Sequence, residues 1–269
     1  MKNPSATAEK LLQLLEVVER LRSPSGCLWD RAQSPEDIAR YLLEEAYEVA
    51  EAIENGSPEA LQEELGDLLF QIVFLAHMAE EEENFNLADV LTGIREKMIR
   101  RHPHVFGDKS LESVAAIKEN WEAVKKTEGK GLGTCRECLD GVAIALPALA
   151  RAQKIGHVAA KSGFDWSTTA AVVTKVEEEL DELKAAIKTG LREHAAEEMG
   201  DLLFSLANLC RFLGIDAEAS LRGALHKFTH RVGNVEDEML KTGKKSTEAT
   251  AAEIDRLWNE VKLKRPGCK

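Results

Sequence analysis

Two acidic clusters with the same internal spacing are the part of this sequence most suited to chemistry. Each cluster consists of two pairs of carboxylates, and the residues of each pair are spaced i, i+3. The second pair begins 19 positions after the first, at Glu64 after Glu45 and at Glu198 after Glu179 (64 − 45 = 198 − 179 = 19). Residues three apart in a helix share a face and lie about 4.5 Å apart along its axis. Four carboxylates converging from two facing helices suit Mg²⁺, with Mn²⁺ able to substitute, and leave coordination positions for water and phosphate oxygens. The candidate metal ligands are Glu45, Glu48, Glu64 and Asp67 in the first cluster and Glu179, Glu182, Glu198 and Asp201 in the second.

A turn signal lies midway between the two pairs of each cluster. Gly56 is followed by Ser-Pro, and this pattern predicts helix, tight turn, helix. Glu48 and Glu64 are each eight residues from Gly56 (56 − 48 = 64 − 56 = 8), so we expect them to face each other across an antiparallel hairpin. Glu45 and Asp67 are each eleven residues away and are expected to form the next level. The same arithmetic about Gly190 gives the pairs Glu182 with Glu198 and Glu179 with Asp201.

An alternative explanation is that these acids form ordinary solvated faces of glutamate-rich helices. In a chain that is 30% charged, a single Glu-x-x-Glu pattern is more simply explained in that way. The positions of the aspartates favour a site instead. Asp67 and Asp201 directly precede apolar stretches, which predicts that both are partly buried, and a buried unpaired carboxylate is costly.

The acidic clusters belong to a longer internal repeat. A gapless alignment of residues 44–77 with 178–211 gives 15 identical pairs in 34 positions, whereas unrelated sequences would share roughly two or three. Helix-forming residues dominate, aromatic residues make up 5%, and no long run alternates with a period of two. We therefore predict an all-α protein of two tandem, duplicated helical-bundle domains. The expected ranges are 7–127 for the N-terminal domain, 128–140 for a glycine-rich linker and 141–265 for the C-terminal domain.

Cations recur at corresponding places in the two repeats. Lys227 and Arg231 are spaced i, i+4, as are Lys97 and Arg101, so each pair projects from one helical face. An ordinary surface stripe is the simpler explanation of one pair, but its recurrence favours phosphate binding by a lysine charge and an arginine fork. A tryptophan and a lysine also recur at i, i+4 and could stack on a base and reach a phosphate, although such a tryptophan is more often a core residue. These residues are Trp121 and Lys125 in the first repeat and Trp258 and Lys262 in the second.

Composition restricts the possible partners and compartment. The net charge of −12 argues against non-specific binding to nucleic acid or to a membrane. The N-terminus lacks a hydrophobic signal region and no apolar stretch is long enough to span a membrane, so we expect a cytoplasmic protein. Cys135 and Cys138 form a Cys-x-x-Cys motif with no second metal-binding pair, which argues against structural zinc or redox chemistry.

The doubled acidic pattern and three accessory motifs resemble the two-domain MazG family of nucleoside triphosphate pyrophosphohydrolases. The accessory motifs are GCLWD at 26–30, RRHPHVF at 100–106 and LPALARAQK at 146–154, and the likeness extends from about Leu11 to Lys262. Leu28 replaces the proline usual in that family's first motif, at a position expected to lie in a loop. The resemblance implies Mg²⁺-dependent hydrolysis of NTPs and dNTPs to monophosphate and pyrophosphate, broad base specificity, ATP binding, a role in nucleotide-pool housekeeping or stress, and a homodimer.

The same resemblance assigns roles to residues of the second repeat. It implies metal binding by the second acidic cluster, phosphate contacts from Lys227, Arg231 and Lys262, and base stacking on Trp258. Metal ligands are poor proton acceptors, so a neighbouring carboxylate, Glu178 or Glu197, is a candidate general base. The corresponding phosphate- and base-binding positions of the first repeat are Lys97, Arg101, Trp121 and Lys125.

The second repeat is expected to be the main catalytic site. Lys175 and His194 lie beside its acidic cluster, where the first repeat has Tyr41 and Ala60 (175 − 134 = 41; 194 − 134 = 60). These residues give the second repeat more positive charge with which to bind a triphosphate.

Two other functions remain compatible with the residues. One is a related hydrolase of a special nucleotide, such as dUTP, phosphoribosyl-ATP or an alarmone. The other is a non-catalytic helical interaction protein, acidic enough to bind a basic partner. That second function depends on the number of charges rather than on the paired positions of the acids.

Overall fold

The protein is all-α, as its sequence predicts. A computed structural model describes residues 3–128, 134–241, 243 and 245–263, and no β-strand occurs within those ranges. The chain divides into two compact units, residues 1–128 and 129–269. Part of the predicted linker is helical, because residues Cys135–Asp140 form a short helix that packs on the next one, and residues 129–133 lie outside the described ranges.

The first unit contains seven helices in its described residues. A five-residue helix begins at Leu28, which is 79% exposed, so the position predicted to lie in a loop is instead the first residue of a helix. The helices are α1 (Pro4–Arg22), α2 (Leu28–Ala32), α3 (Pro35–Asn55), α4 (Pro58–Glu81), α5 (Leu87–Arg101), α6 (Pro103–Phe106) and α7 (Val114–Thr127).

Local sequence signals set the limits of the α3–α4 hairpin. The Ser34 hydroxyl accepts a hydrogen bond from the Asp37 backbone N–H, and the Asp37 carboxylate accepts one from the Ser34 N–H, which starts α3. Gly56 ends α3 with φ of 66°, in the left-handed region that glycine adopts without strain. Ser57 then caps α4 by accepting from the Ala60 N–H. The predicted turn at Gly56 is thus confirmed.

Apolar residues from three helices form the core of the first unit. Val18 of α1, Ile38 of α3 and Phe74 of α4 are all nearly inaccessible to solvent, and Val73 and Met78 complete the cluster. Arg22 closes one edge of this core, because its guanidinium lies 5.4 Å from the centre of the Phe74 ring. This packing holds α4 against α1 and α3, and so fixes the helices that carry the first acidic cluster.

The second unit repeats the central hairpin. Thr168 caps the first helix of this hairpin, Thr169–Thr189, because its side chain accepts a hydrogen bond from the Ala171 N–H. Gly190 ends the same helix with φ of 72°. The turn predicted at Gly190 is therefore confirmed as well. The helices of the described residues are α8 (Cys135–Asp140), α9 (Ala148–Lys161), α10 (Thr169–Thr189), α11 (Arg192–Phe212), α12 (Ala217–Lys241) and α13 (Ala251–Leu263), with a 3₁₀ turn at Ser246–Glu248.

The motif at 146–154 helps to hold the second hairpin in place. The Gln153 side chain donates to the Ile215 carbonyl at 2.7 Å and accepts from the Ala217 N–H at 3.0 Å, which ties α9 to the start of α12. Gly156 allows close approach to α11, because a Cβ at this position would lie 3.0 Å from Oδ1 of Asn208. The motif therefore holds α9 at the start of α12 through Gln153, and Gly156, two residues beyond the motif, lets α9 approach α11.

Both hairpins carry exposed apolar residues on a face that their own unit leaves uncovered. Leu65 and Leu69 of α4 are 49% and 43% exposed, and Met199 and Leu203 of α11 are 44% and 48% exposed. Within the described residues, no helix combines the length and the apolar character needed to cross a bilayer.

Candidate metal and nucleotide site

Three glutamates converge in the second unit. Glu179 and Glu182 on α10 and Glu198 on α11 each place a carboxylate oxygen within 4.8 Å of the others. Glu179 is buried, with 6% exposure, whereas Glu182 is exposed. Partial desolvation and the charges of Glu179 and Glu198 raise the pKa of Glu182, while Lys175 opposes this shift. The cluster is therefore a concentration of negative charge that a cation would stabilise.

The corresponding glutamates converge in the first unit. Glu45, Glu48 and Glu64 also bring carboxylate oxygens within 4.8 Å of one another. Burial raises the pKa of Glu45, and the charges of Asp67 and Glu48 add to the rise. Burial likewise raises the pKa of Glu64, and the charge of Glu48 raises it further. The acids expected to face each other across the first hairpin are therefore close in space.

The two aspartates differ from the sequence-based expectation. Asp67 and Asp201 are exposed rather than partly buried, because each lies on a hairpin face that its own unit leaves uncovered. Neither belongs to the groups whose ligand oxygens meet within 4.8 Å, although the charge of Asp67 still raises the pKa of Glu45 and Glu64.

Lys175 and His194 contact the second cluster directly. The ammonium nitrogen of Lys175 lies 2.8 Å from Oε1 of Glu179 and 3.0 Å from Oε1 of Glu178. Nε2 of His194 lies 3.1 Å from Oε1 of Glu198. Hydrogen bonds to these carboxylates, Glu179 first, raise the pKa of Lys175. Both residues lie beside the acids, where Lys175 offsets their charge and the His194 ring contacts Glu198.

The two candidate general bases have different surroundings. Glu178 accepts a hydrogen bond from Lys175, and its side chain is 53% exposed. Glu197 is exposed, and its side chain forms no hydrogen bond or ion pair with any other residue that the structure describes. Glu178 is thus already engaged by a neighbouring cation, whereas the Glu197 side chain is available to orient a water, so the surroundings favour Glu197 over Glu178.

Aromatic and cationic residues of the second unit meet between α12 and α13. The Phe228 and Trp258 rings lie 5.4 Å apart, and the Arg231 guanidinium lies 6.0 Å from the centre of the Trp258 ring. Lys227 and Lys262 lie on the same two helices. Across the described part of this unit, no hydrogen bond, ion pair or ring contact connects this group with the three glutamates.

The corresponding group of the first unit has different contacts. Arg101 is buried, with 7% exposure, and its guanidinium lies 5.2 Å from the centre of the Trp121 ring. The Arg101 guanidinium also pairs with the Glu128 carboxylate. Lys125 lies 3.6 Å from Glu122 on the same helix, and Lys97 is on α5. Sequence reasoning did not identify Glu128, although its spacing of seven residues from Trp121 was a usable signal.

Comparison with known proteins identifies the family of this chain. The family model for the MazG nucleotide pyrophosphohydrolase domain matches twice, at residues 33–106 and 167–236, and together these matches cover more than half of the 269 residues. The chain belongs to the MazG family. Both matches include an acidic cluster and the lysine and arginine that follow it. Neither match includes the tryptophan and lysine of α7 or of α13.

Two curated relatives match nearly the whole chain, and a solved structure matches part of it. A nucleoside triphosphate pyrophosphohydrolase of Escherichia coli K12 is 44% identical over 253 residues, which cover 93% of this chain and 96% of the relative. A nucleoside triphosphate pyrophosphohydrolase/pyrophosphatase MazG of Thermotoga maritima is 42% identical over 250 residues, covering 93% and 94%. The crystal structure of a mazG-related protein from Thermotoga maritima is 31% identical, covers 42% of this chain and 97% of its own, and has a TM-score of 0.38. The predicted enzyme class is thus confirmed at the level of the MazG family.

Proposed function

We propose that this MazG protein hydrolyses nucleoside and deoxynucleoside triphosphates to the monophosphate and pyrophosphate in a Mg²⁺-dependent reaction. The observation that carries the proposal is the convergence of Glu179, Glu182 and Glu198 within 4.8 Å in the second unit. Charge count alone, as in an acidic interaction protein, does not require carboxylates to meet from two helices. The relatives named as nucleoside triphosphate pyrophosphohydrolases support the choice of substrate class.

The donor set of the second cluster fits a hard divalent cation. All three converging donors are carboxylate oxygens, which Mg²⁺ prefers and Mn²⁺ accepts. The Lys175 ammonium, 2.8 Å from Glu179, shows that the cluster already accommodates one positive group. We propose that Asp201 joins these glutamates when metal is bound. Bound Mg²⁺ would supply charge neutralisation for the triphosphate and a bound water of lowered pKa.

The chain's own residues would orient the remaining reactants. Glu197 would accept the proton of a water that attacks the α-phosphorus, with Glu178 as the alternative base. The bond from that phosphorus to the oxygen of the β-phosphate breaks, and pyrophosphate leaves with the electron pair. Phosphate contacts would come from Lys175, His194, Lys227, Arg231 and Lys262, and Trp258 would stack on the base.

A homodimer with broad base specificity completes the proposal. The two hairpins expose several large apolar side chains, among them Met199 and Leu203. Such faces favour contact with a partner surface. A second copy of the chain supplies a surface of matching apolar character.

Stacking on an aromatic ring does not discriminate among bases, since every base has a π-face. We therefore propose broad base specificity and a role in housekeeping of the cytoplasmic nucleotide pool.

The identity of the products tests the reaction type. Incubation of ATP and of each dNTP with the protein and Mg²⁺ is expected to yield one monophosphate and one pyrophosphate per turnover, measured by anion-exchange chromatography. Omission of Mg²⁺ should remove the activity. Stepwise release of orthophosphate would contradict the proposed reaction type. Activity confined to a single special nucleotide would contradict the proposed broad specificity.

Metal binding should stabilise the fold even without substrate. Mg²⁺ relieves repulsion among the glutamates and binds only the folded arrangement, so at 100 times its dissociation constant it should contribute about 2.7 kcal/mol. We therefore expect a rise in Tm of several degrees by differential scanning calorimetry. NaCl at equal ionic strength serves as the control, because simple screening would raise Tm equally with either salt.

A further inference from the structure

Arg101, the arginine of the first unit that corresponds to Arg231, already pairs with a carboxylate. Nε of Arg101 donates to Oε1 and Oε2 of Glu128 at 3.3 and 3.1 Å, and Nη2 of Arg101 also bonds to Oε2. Arg100 adds a second guanidinium, with Nε 2.8 Å from Oε1 of Glu128. The side chains of Arg101 and Glu128 are only 8% and 11% exposed. The donors of Arg101 are therefore directed at an internal acceptor.

The tryptophan of the first unit is covered by the same group. Besides the Arg101 guanidinium at 5.2 Å, the His102 ring lies edge-on to Trp121 with 5.0 Å between centroids. Nδ1 of His102 is in turn 2.7 Å from the Met98 carbonyl oxygen, which holds the ring in place. A base could stack on Trp121 only if these neighbours moved.

In the described part of the second unit, the corresponding arginine and tryptophan have no carboxylate beside them. No acid there lies within ion-pair distance of Arg231, whose guanidinium instead lies 6.0 Å from the centre of the Trp258 ring. The two sequences also differ at the corresponding position. Glu128 follows Trp121 by seven residues, and the residue seven after Trp258 is Arg265, which is a reversal of charge (128 − 121 = 265 − 258 = 7). Residue 265 lies outside the described ranges.

A carboxylate is an effective substitute for phosphate at a guanidinium. Both accept two parallel hydrogen bonds from an arginine, so they compete for the same donors. The two arginines lower the pKa of Glu128 to about 2, and the carboxylate therefore stays ionised at every physiological pH. A phosphate that displaced Glu128 would leave a nearly buried carboxylate unpaired, which is strongly unfavourable.

We propose that Glu128 acts as a built-in phosphate mimic that closes the first unit's nucleotide site and confines triphosphate binding to the second unit. This inference rests on the proposed function, because it takes Arg231 to be a phosphate ligand and Arg101 to be its counterpart. The two units share three converging glutamates and differ in the state of the arginine, which is paired with a carboxylate in the first unit. The specificity-determining residue is then at the end of α7, outside both acidic clusters.

Binding stoichiometry tests the proposal. The probe is an ATP analogue with a methylene group between the α- and β-phosphorus, titrated calorimetrically with Mg²⁺. Wild-type protein is expected to bind one equivalent per chain, and Glu128→Gln to bind a second. Glu119→Gln removes an exposed charge from α7, the helix that precedes Glu128, and should still bind one. The double variant Arg101→Gln/Glu128→Gln should also bind one equivalent, because it lacks the Arg101 guanidinium that loss of Glu128 would make available.

The outcomes separate this inference from the proposed function. Wild-type protein that binds no analogue and releases no pyrophosphate would contradict the proposed function itself. Two equivalents on wild type, or one on a folded Glu128→Gln, would overturn the role of Glu128 alone. If Glu128→Gln is unfolded by circular dichroism, Glu128→Asp keeps the charge but withdraws the carboxylate by one methylene. A second, weaker equivalent is then expected, and its absence would overturn the proposal.

Discussion

Glu198→Gln is expected to reduce pyrophosphate release by at least about 100-fold while leaving the metal-free fold intact. Loss of a residue that only supports a metal ligand typically costs 10- to 100-fold, so loss of a ligand should cost no less. The metal-free fold should hold because the substitution removes a charge that lies near Glu179 and Glu182. The ion pair with His194 is lost, but at 46% and 16% exposure it contributes little. Steady-state kinetics and thermal denaturation of the same samples measure both effects.

Glu193→Gln is the matched control for that variant. Glu193 lies on the same helix, α11, is exposed, and is outside the glutamate cluster, so its loss should leave turnover close to wild type. The Mg²⁺-dependent rise in Tm should also shrink in Glu198→Gln and persist in Glu193→Gln. A Glu198→Gln protein that is unfolded without metal would show that Glu198 is structural and that the metal site is wrongly placed.

Glu182→Gln and Glu48→Gln are expected to differ sharply in activity. The two residues occupy the same place in equivalent clusters, so the substitutions are chemically matched. Only the second cluster has Lys175 at 2.8 Å from Glu179 and His194 at 3.1 Å from Glu198. We expect Glu182→Gln to lower kcat/KM by about 100-fold and Glu48→Gln to retain roughly a third or more of it.

Measurement at saturating Mg²⁺ separates a loss of chemistry from a loss of metal affinity. Equal losses in the two variants would indicate two equivalent or coupled sites. The reverse order would show that the first unit is the catalyst. Circular dichroism of both variants excludes unfolding as the cause, and analytical ultracentrifugation excludes a change in assembly.

Local geometry explains why the sequence identifies the glutamates of both clusters. Helical spacing puts Glu45 beside Glu48 and Glu179 beside Glu182, and a left-handed glycine brings the next helix back against the first. Both rules act over a few residues and depend little on the rest of the fold. The pairing of Lys175 with Glu179 is of the same kind, because it joins residues i and i+4.

The state of the remaining site residues depends on packing between helices distant in sequence. Arg101 and Arg231 occur in the same local pattern, yet Arg101 is buried against Glu128, a residue 27 positions away. Asp67 and Asp201 precede apolar stretches, but their burial is decided by whether another surface covers the hairpin face. The sequence by itself therefore determined the helices, the repeat and the converging glutamates, all set by short-range periodicity. The tertiary structure decided which cations remain available, because an ion pair forms only where chain packing brings its two partners together.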